Sequence, residues 1–212
     1  MNDNHRPRRP GRKRSDAARQ AILDAALALV QEQGYGRLTI EGIAARAGVG
    51  KQTIYRWWPS KADVVLEAVT DTAAAEIPIP DTGTLRGDLQ AFLTTSFALT
   101  QRQGVAPVLR ALMAAAQLEP GFGEAFRTRF LGQRRAVLDQ ILERARQRGQ
   151  WQPPIPQPTL IDVVFGTLWY RLLAGHAPAD ERLATELTQL IVGNHQPPDP
   201  TSSSVAGGHG KP

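Results

Sequence analysis

The chain has 212 residues, a net charge of +5, 42% apolar content and no cysteine. That length allows one large or two small domains with a real core, and the lack of cysteine excludes disulfides, thiolate zinc sites and cysteine nucleophiles. No run reaches the roughly 18 apolar residues of a membrane span, since even LIDVVFGTLWYRLLAG carries Asp162 and Arg171.

In chain order, residues 1–14 come first, with six of the 25 basic residues and one of the 20 acidic ones, so the positive excess lies wholly in this arm. Rich in Pro and Arg, the arm cannot bury a core and is expected to be disordered. It serves either as a solubilising tail or as a strand that lies along phosphates or enters a minor groove. No apolar segment follows these charges, so no signal peptide is read and a cytoplasmic location is expected.

The periodicity predicts a first helix over Asp16 to Gln33, with Ile22, Ala25, Ala26 and Leu29 on one face and Ser15 or Asp16 as N-cap. Gly34 ends it. Thr39 is placed to cap a second helix, Ile40 to Ala47. The turn at Gly48 leads to a third helix ending at Trp58 before Pro59. Ile43, Ala44, Ala47, Val49, Ile54 and Trp57 fall on a shared small core at helical spacing. Lys51, Gln52, Thr53, Tyr55 and Arg56 then face outward together, a set of donors suited to phosphates and base edges. Ser60 to Asp63 has the spacing of a capping box, opening a fourth helix that runs through Val64, Val65, Ala68 and Val69 towards Ile77.

The segments IAARAGV, TIYRWW and PSK together resemble the helix-turn-helix of the tetracycline-repressor (TetR) family of bacterial transcription regulators, over about Ser15 to Thr70. The resemblance implies a homodimer whose two readers enter successive major grooves of a palindromic operator, roughly 34–36 Å apart for half-sites one turn apart. It implies DNA contacts from Thr39, Gly50, Lys51, Gln52, Thr53, Tyr55, Arg56, Trp57 and Lys61. Thr39 acts as cap alone or as cap and phosphate contact. Lys51 and Lys61 hold phosphates, Arg56 a phosphate or a guanine, Gln52 an adenine, and Trp57 is core or a wedge beside the phosphates. Gly50 stands where the family commonly has Ser or Thr, which removes a hydroxyl contact.

Pro78, Pro80, Asp81 and Gly83 mark the expected domain boundary. Beyond it helices are predicted over Thr84 to Gln101, Pro107 to Leu118, Phe122 to Arg148, Thr159 to Ala174 and Asp180 to Val192, with PPIPQP (153–158) as a stiff non-helical connector. Their aromatic and soft apolar residues Phe92, Phe97, Met113, Phe126, Phe130 and Trp169 are either pocket walls or plain core. The middle helices offer little charge except Arg110 and Arg127, which favours a small apolar effector. Ile161, Val164, Phe165, Leu168, Leu172, Leu183, Leu187, Leu190 and Ile191 form stripes on the last two helices; the resemblance makes these the dimer interface, the alternative being intrachain core. Residues 194–212 are expected to be a disordered tail.

Nothing in the chain spells an enzyme. Gly48-Val49-Gly50-Lys51 lacks the earlier glycine and following hydroxyl of a phosphate loop, and Phe126 stands where a dinucleotide fingerprint starting at Gly121 needs glycine. The four histidines lie in loops or ends, so no metal and no cofactor is expected. The expected fold is therefore all-α: an N-terminal three-helix DNA-binding domain with a helix-turn-helix (15–77), then a C-terminal helical ligand-binding and dimerisation domain (78–193). The expected function is a ligand-released repressor on double-stranded operator DNA with no membrane partner. The alternatives are an activator or a non-specific nucleic-acid binder working through the arm.

Overall fold

The computed structural model describes residues 10–152 and 155–193; the expected arm up to residue 9 and the tail from 194 lie outside the described residues. Among the described residues the chain is helical throughout, with no strand: α1 (Pro10–Gln33), a short 3-10 turn (Tyr35–Arg37), α2 (Ile40–Ala47), α3 (Lys51–Tyr55), α4 (Lys61–Glu76), α5 (Leu85–Gln101), α6 (Val105–Leu118), α7 (Pro120–Ala125), a π turn (Phe126–Leu131), α8 (Gly132–Gln147), α9 (Gln157–Ala174) and α10 (Glu181–Gly193).

Most boundaries fall where side-chain chemistry demands. Thr39 Oγ1 accepts from Gly42 N at 3.0 Å and opens α2. Ser60 and Asp63 complete a reciprocal capping box at α4, and Thr84 caps α5 through Gly87 N at 3.1 Å. Gly48 sits in the left-handed region (φ 67°), where any other L residue would be strained, and lets α2 turn sharply into α3.

Three expectations about helix extent are corrected. The first helix begins at Pro10 instead of Asp16, so residues 10–14 are helical: proline is tolerated in a first turn, where its missing N–H is not needed, and Arg and Lys are good helix formers. The third helix is only Lys51–Tyr55, because the backbone tightens at Arg56 and Trp57 before Pro59. Gln157 and Pro158, expected in the connector, form the first turn of α9 for the same reason that admits Pro10.

α1 packs on α2 and α4, while α5 lies between α8 and α10, and α8 packs on α9. The two halves share one continuous core. The loop between α4 and α5 is fixed from below by Asp88, which is buried and accepts from Thr82 N (2.6 Å), Thr82 Oγ1 (2.8 Å) and Arg144 Nη2 (3.0 Å). The long helix from Pro120 to Gln147 is unbroken but carries one wide π turn, closed by Gly132 N donating to Arg127 O. Such turns commonly mark functional sites, and this one packs against α4. At Gly123 a Cβ would meet Ala116 O at 2.5 Å, so only glycine allows α7 to approach α6 this closely. Gly123→Ala should therefore lower the melting temperature by several degrees, about 1–3 kcal/mol of strain, which a thermal denaturation scan would check.

Candidate nucleic-acid interface and effector cavity

The sequence of α3 divides cleanly by burial. Ile54 is fully buried beneath the helix, while Lys51, Gln52, Tyr55 and Arg56 are exposed and Thr53 is half-buried. Thr39 and Gly50 are exposed beside them. The outer surface of α3 is thus a set of hydrogen-bond donors on a rigid platform, with nothing near Gly50 to obstruct a close approach. Lys51 Nζ is paired with Glu41 Oε1 at 3.0 Å, which raises the lysine pKa and lowers that of the glutamate. The sequence reading passed over Glu41, whose place in the first turn of α2 looks like ordinary helix-dipole complementarity.

Trp57, read as core or as a wedge beside the phosphates, is only partly buried against the core, and its neighbour takes the deeper place. Trp58, not Trp57, belongs to the core: it is 2% exposed and its Nε1 donates to Glu67 Oε2 at 2.7 Å. Trp57 is half-buried, meets Trp58 edge to face at 5.4 Å, and carries the Arg56 guanidinium 5.1 Å above its ring. The inward place of Trp58 follows from the short α3, since the backbone tightens at Arg56 and Trp57 and turns the next side chain inward. Lys61, expected on a phosphate, instead donates to Leu38 O at 2.8 Å and Tyr35 O at 3.3 Å and lies 4.9 Å from the Tyr35 ring centroid. It fastens the α1–α2 connector to the start of α4.

Glu67 joins three elements. Besides Trp58 it accepts from Arg19 Nε at 2.6 Å, and Arg19 Nη2 donates to Asp71 Oδ2 at 2.9 Å. α1, the end of α3 and α4 are thereby held as one body. The signal is present in sequence only as two acidic residues, Glu67 and Asp71, spaced four apart on α4.

The second half encloses an apolar cavity of about 60 Å³. Its walls include Val69 and Ala73 of α4 and Ile77 just after it, Leu99 of α5, Leu109 of α6, Phe130 of the π turn and Trp169 of α9. Of the expected pocket residues only Phe130 and Trp169 line it. Phe92, Phe97 and Phe126 are instead solid core, each 1% exposed, and Met113 lies off the cavity with its sulfur next to Gln117. Phe126 packs behind the wall, 5.6 Å from Phe130 and 5.9 Å from Trp169 between ring centroids. The sequence reading also missed Arg134 and Ser96, both on the cavity wall. An outer groove of about 320 Å³ shares Leu131, Phe165 and Trp169 with the cavity and is bordered by Arg135 and Asp162, which form an ion pair.

The expected dimer stripe needs the largest correction. Ile161, Val164, Leu168, Leu172, Leu183, Leu187 and Ile191 are at most 8% exposed inside their own chain, and Phe165 lines the cavity. They pack α9 and α10 onto α5, α6 and α8, because an amphipathic helix turns its most regular apolar stripe to the intrachain core first. The outer face of α9 instead exposes Val163, Tyr170 and Leu173, and α10 exposes Leu190, the only member of the expected set on this surface.

With this geometry in place, comparison with known proteins is decisive. Residues 22–68 match the model of the bacterial regulatory proteins of the tetR family, and residues 79–191 match the tetracyclin repressor-like C-terminal domain. The chain belongs to the TetR family. It is 38% identical over 164 residues to the uncharacterised transcriptional regulator YdeS of Bacillus subtilis, covering 77% of this chain and 82% of that one. It is 30% identical over 181 residues to the DNA-binding transcriptional repressor TetR of Mycobacteroides abscessus, covering 84% and 94%. The crystal structure of the TetR family regulator SCO0332 superposes with a TM-score of 0.75 at 32% identity, covering 85% of this chain and 99% of that one. The protein is thus a helix-turn-helix transcriptional regulator. Among the described residues no helix is long and apolar enough to cross a membrane.

Two measurements follow from the site. Trp58→Phe keeps most of the ring but removes the Glu67 donor, so it should cost about 1–3 kcal/mol in urea denaturation, whereas Trp57→Phe should change stability by less than about 0.5 kcal/mol. Glu41→Gln releases Lys51 for phosphate, so operator affinity should rise, with a slope of log K against log salt steeper by about one ion, read by fluorescence anisotropy across a salt series.

Proposed function

We propose that the protein is a homodimeric repressor that reads a palindromic operator through α3 and is released by a small molecule entering the cavity between α4, the π turn and α9. In this reading α1–α4, to residue 77, form the DNA-binding domain, and residues 78–193 form the regulatory and dimerisation domain. Thr39, Lys51, Gln52, Thr53, Tyr55 and Arg56 meet the DNA, with Trp57 supporting Arg56. The observation that carries the proposal is that α4 serves both ends. Its first half is joined through Glu67 to the recognition unit, and its second half, with Ile77 just after it, supplies Val69 and Ala73 to the cavity wall.

Cavity size supports a mechanism by displacement. A typical ligand pocket encloses roughly 300–1,000 Å³, several times the volume available here. An effector arriving through the outer groove must turn Phe165 and Trp169 aside and press on the wall opposite, which is α4. A ligand that favours the displaced position of α4 by a few kcal/mol is sufficient to empty an operator.

The dimer is proposed to form through the outer faces of α9 and α10. Val163, Tyr170 and Leu173 make an exposed apolar strip around Gly166, where a Cβ would meet nothing. Leu173→Arg should yield monomers in sedimentation velocity while the helical circular dichroism signal persists. Leu187→Arg, by contrast, should unfold the chain; a folded monomer from Leu187→Arg with an intact dimer from Leu173→Arg would reverse the assignment.

The test of the DNA reading is selection of bound sequences from a random library by the purified protein at near-physiological salt, since phosphate-driven affinity depends steeply on it. A palindromic consensus is expected, and Tyr55→Ala should abolish binding to it while leaving dimer mass and melting temperature unchanged. Binding that tracks salt alone, without enrichment, would replace this reading with non-specific association.

A further inference from the structure

The walls of the cavity are apolar with two polar exceptions left without proper partners. Ser96 Oγ, on a residue 9% exposed, makes no hydrogen bond. Thr100 beside it differs, because its Oγ1 donates to Phe97 O at 2.7 Å. The half-buried Arg134 is the second exception. Among the described residues it forms no ion pair, and its one hydrogen bond runs from Nη1 to Ala73 O at 3.3 Å. Burial pushes its guanidinium below the usual arginine range, and no acidic neighbour offsets that. Arginines around it are satisfied: Arg135 pairs with Asp162, and Arg144 with Asp88. Arg134 thus lines the apolar hollow with a planar fork that makes one long hydrogen bond within the chain and is free to meet an acceptor.

We propose that the cavity binds an amphipathic anion, an apolar body carrying one carboxylate, with the carboxylate held by Arg134 and Ser96. This rests on the effector reading above and narrows its earlier sequence-based expectation of a purely apolar ligand. A guanidinium presents a planar fork that matches carboxylate bidentately, whereas an alcohol or ketone would use one donor. The head group also has a mechanical consequence. Ala73 O already accepts from Ile77 N at 3.0 Å, so Arg134 is a second donor on the last turn of α4 and ties that turn to α8. A carboxylate competes for the same guanidinium, and its arrival releases α4 from α8. The ligand thus distinguishes two positions of α4 by chemistry as well as by volume.

The experiment uses matched probes that differ in the head group alone: octanoate against 1-octanol, and 1-naphthoate against 1-naphthalenemethanol. Binding to the full-length dimer is measured by isothermal titration calorimetry, and release of a labelled operator by anisotropy. In the native protein each carboxylate should bind at least roughly tenfold more tightly than its alcohol and release operator at correspondingly lower concentration. Arg134→Gln should erase that preference, and Arg134→Lys should retain part of it. Equal binding and release by acid and alcohol in the native protein would overturn the proposal while leaving the effector reading intact, and it needs no variant to fold. An undiminished preference in Arg134→Gln would overturn it too, placing the anion elsewhere. Binding of neither pair up to the solubility limit would remove the cavity as effector site and the proposal with it.

Discussion

The Glu67 carboxylate is the constraint on which the DNA-reading end depends. It accepts the Trp58 indole N–H on one oxygen and the Arg19 guanidinium on the other, in a setting where its side chain is 24% exposed. Charge-assisted bonds in such partly dry surroundings are stronger than surface pairs. They fix α3 by its tail, since this five-residue helix is too short to hold itself. Ile54 beneath it and Lys61 fastening the connector complete the platform, so the donors of α3 move only as the whole three-helix unit moves.

α4 extends this rigidity into the second half of the chain. Its start is sealed by the Ser60–Asp63 capping box, and its buried Val64, Val65, Leu66 and Ala68 lock it to α1. Further along, its neighbours change from a packed core to a cavity, with Val69, Ala73 and Ile77 facing empty space. Packed interiors resist deformation, and voids are where they yield. The π turn belongs to the same design: its wider turn carries Phe130 and Arg134 onto the side of the long helix that meets α4.

The fold was largely legible in sequence because caps and turn residues are local signals. Thr39, Ser60 with Asp63 and Gly48 each act within four residues of themselves, and α2 and α4 begin and end close to where they indicated. The site was half legible. The outward residues of α3 follow from periodicity, but whether Trp57 or Trp58 turns inward depends on where α3 stops, which the half-buried Glu67 helps decide from another helix. The cavity was read poorly for a related reason. Large aromatics mark volume that is filled, so Phe92, Phe97 and Phe126 are core. The hollow is framed by Phe130, Phe165 and Trp169 together with residues as ordinary as Ala73, Ser96 and Leu99, which carry no such signal. The stripes of α9 and α10 were misassigned because an apolar period states that a face is buried without stating against what; only three-dimensional packing shows that the strong stripe faces inward and a weaker one, through Val163, Tyr170 and Leu173, faces out.

In the proposed reading, the difference between the two ends of α4 is what lets a small ligand act on DNA at a distance. The reader end is held by Glu67, Asp71 and the capping box, several hydrogen bonds of 3.1 Å or less with charged partners. The cavity end is held by apolar contact along one side of a hollow, by one 3.3 Å bond from Arg134 and by a solvent-facing ion pair between Glu76 and Arg102, which is worth little at such exposure. When a guest fills the hollow, the weaker set of contacts gives way first, and α4 tilts with the reader still attached to it. A tilt alters the spacing of the two recognition helices in a dimer while leaving each of them intact. Because the half-sites of an operator are fixed by the pitch of the duplex, a changed spacing suffices to lose the second contact once the first is made. Specific recognition and its release are therefore separable in this reading, the first assigned to α3 and the second to the unequal anchoring of α4.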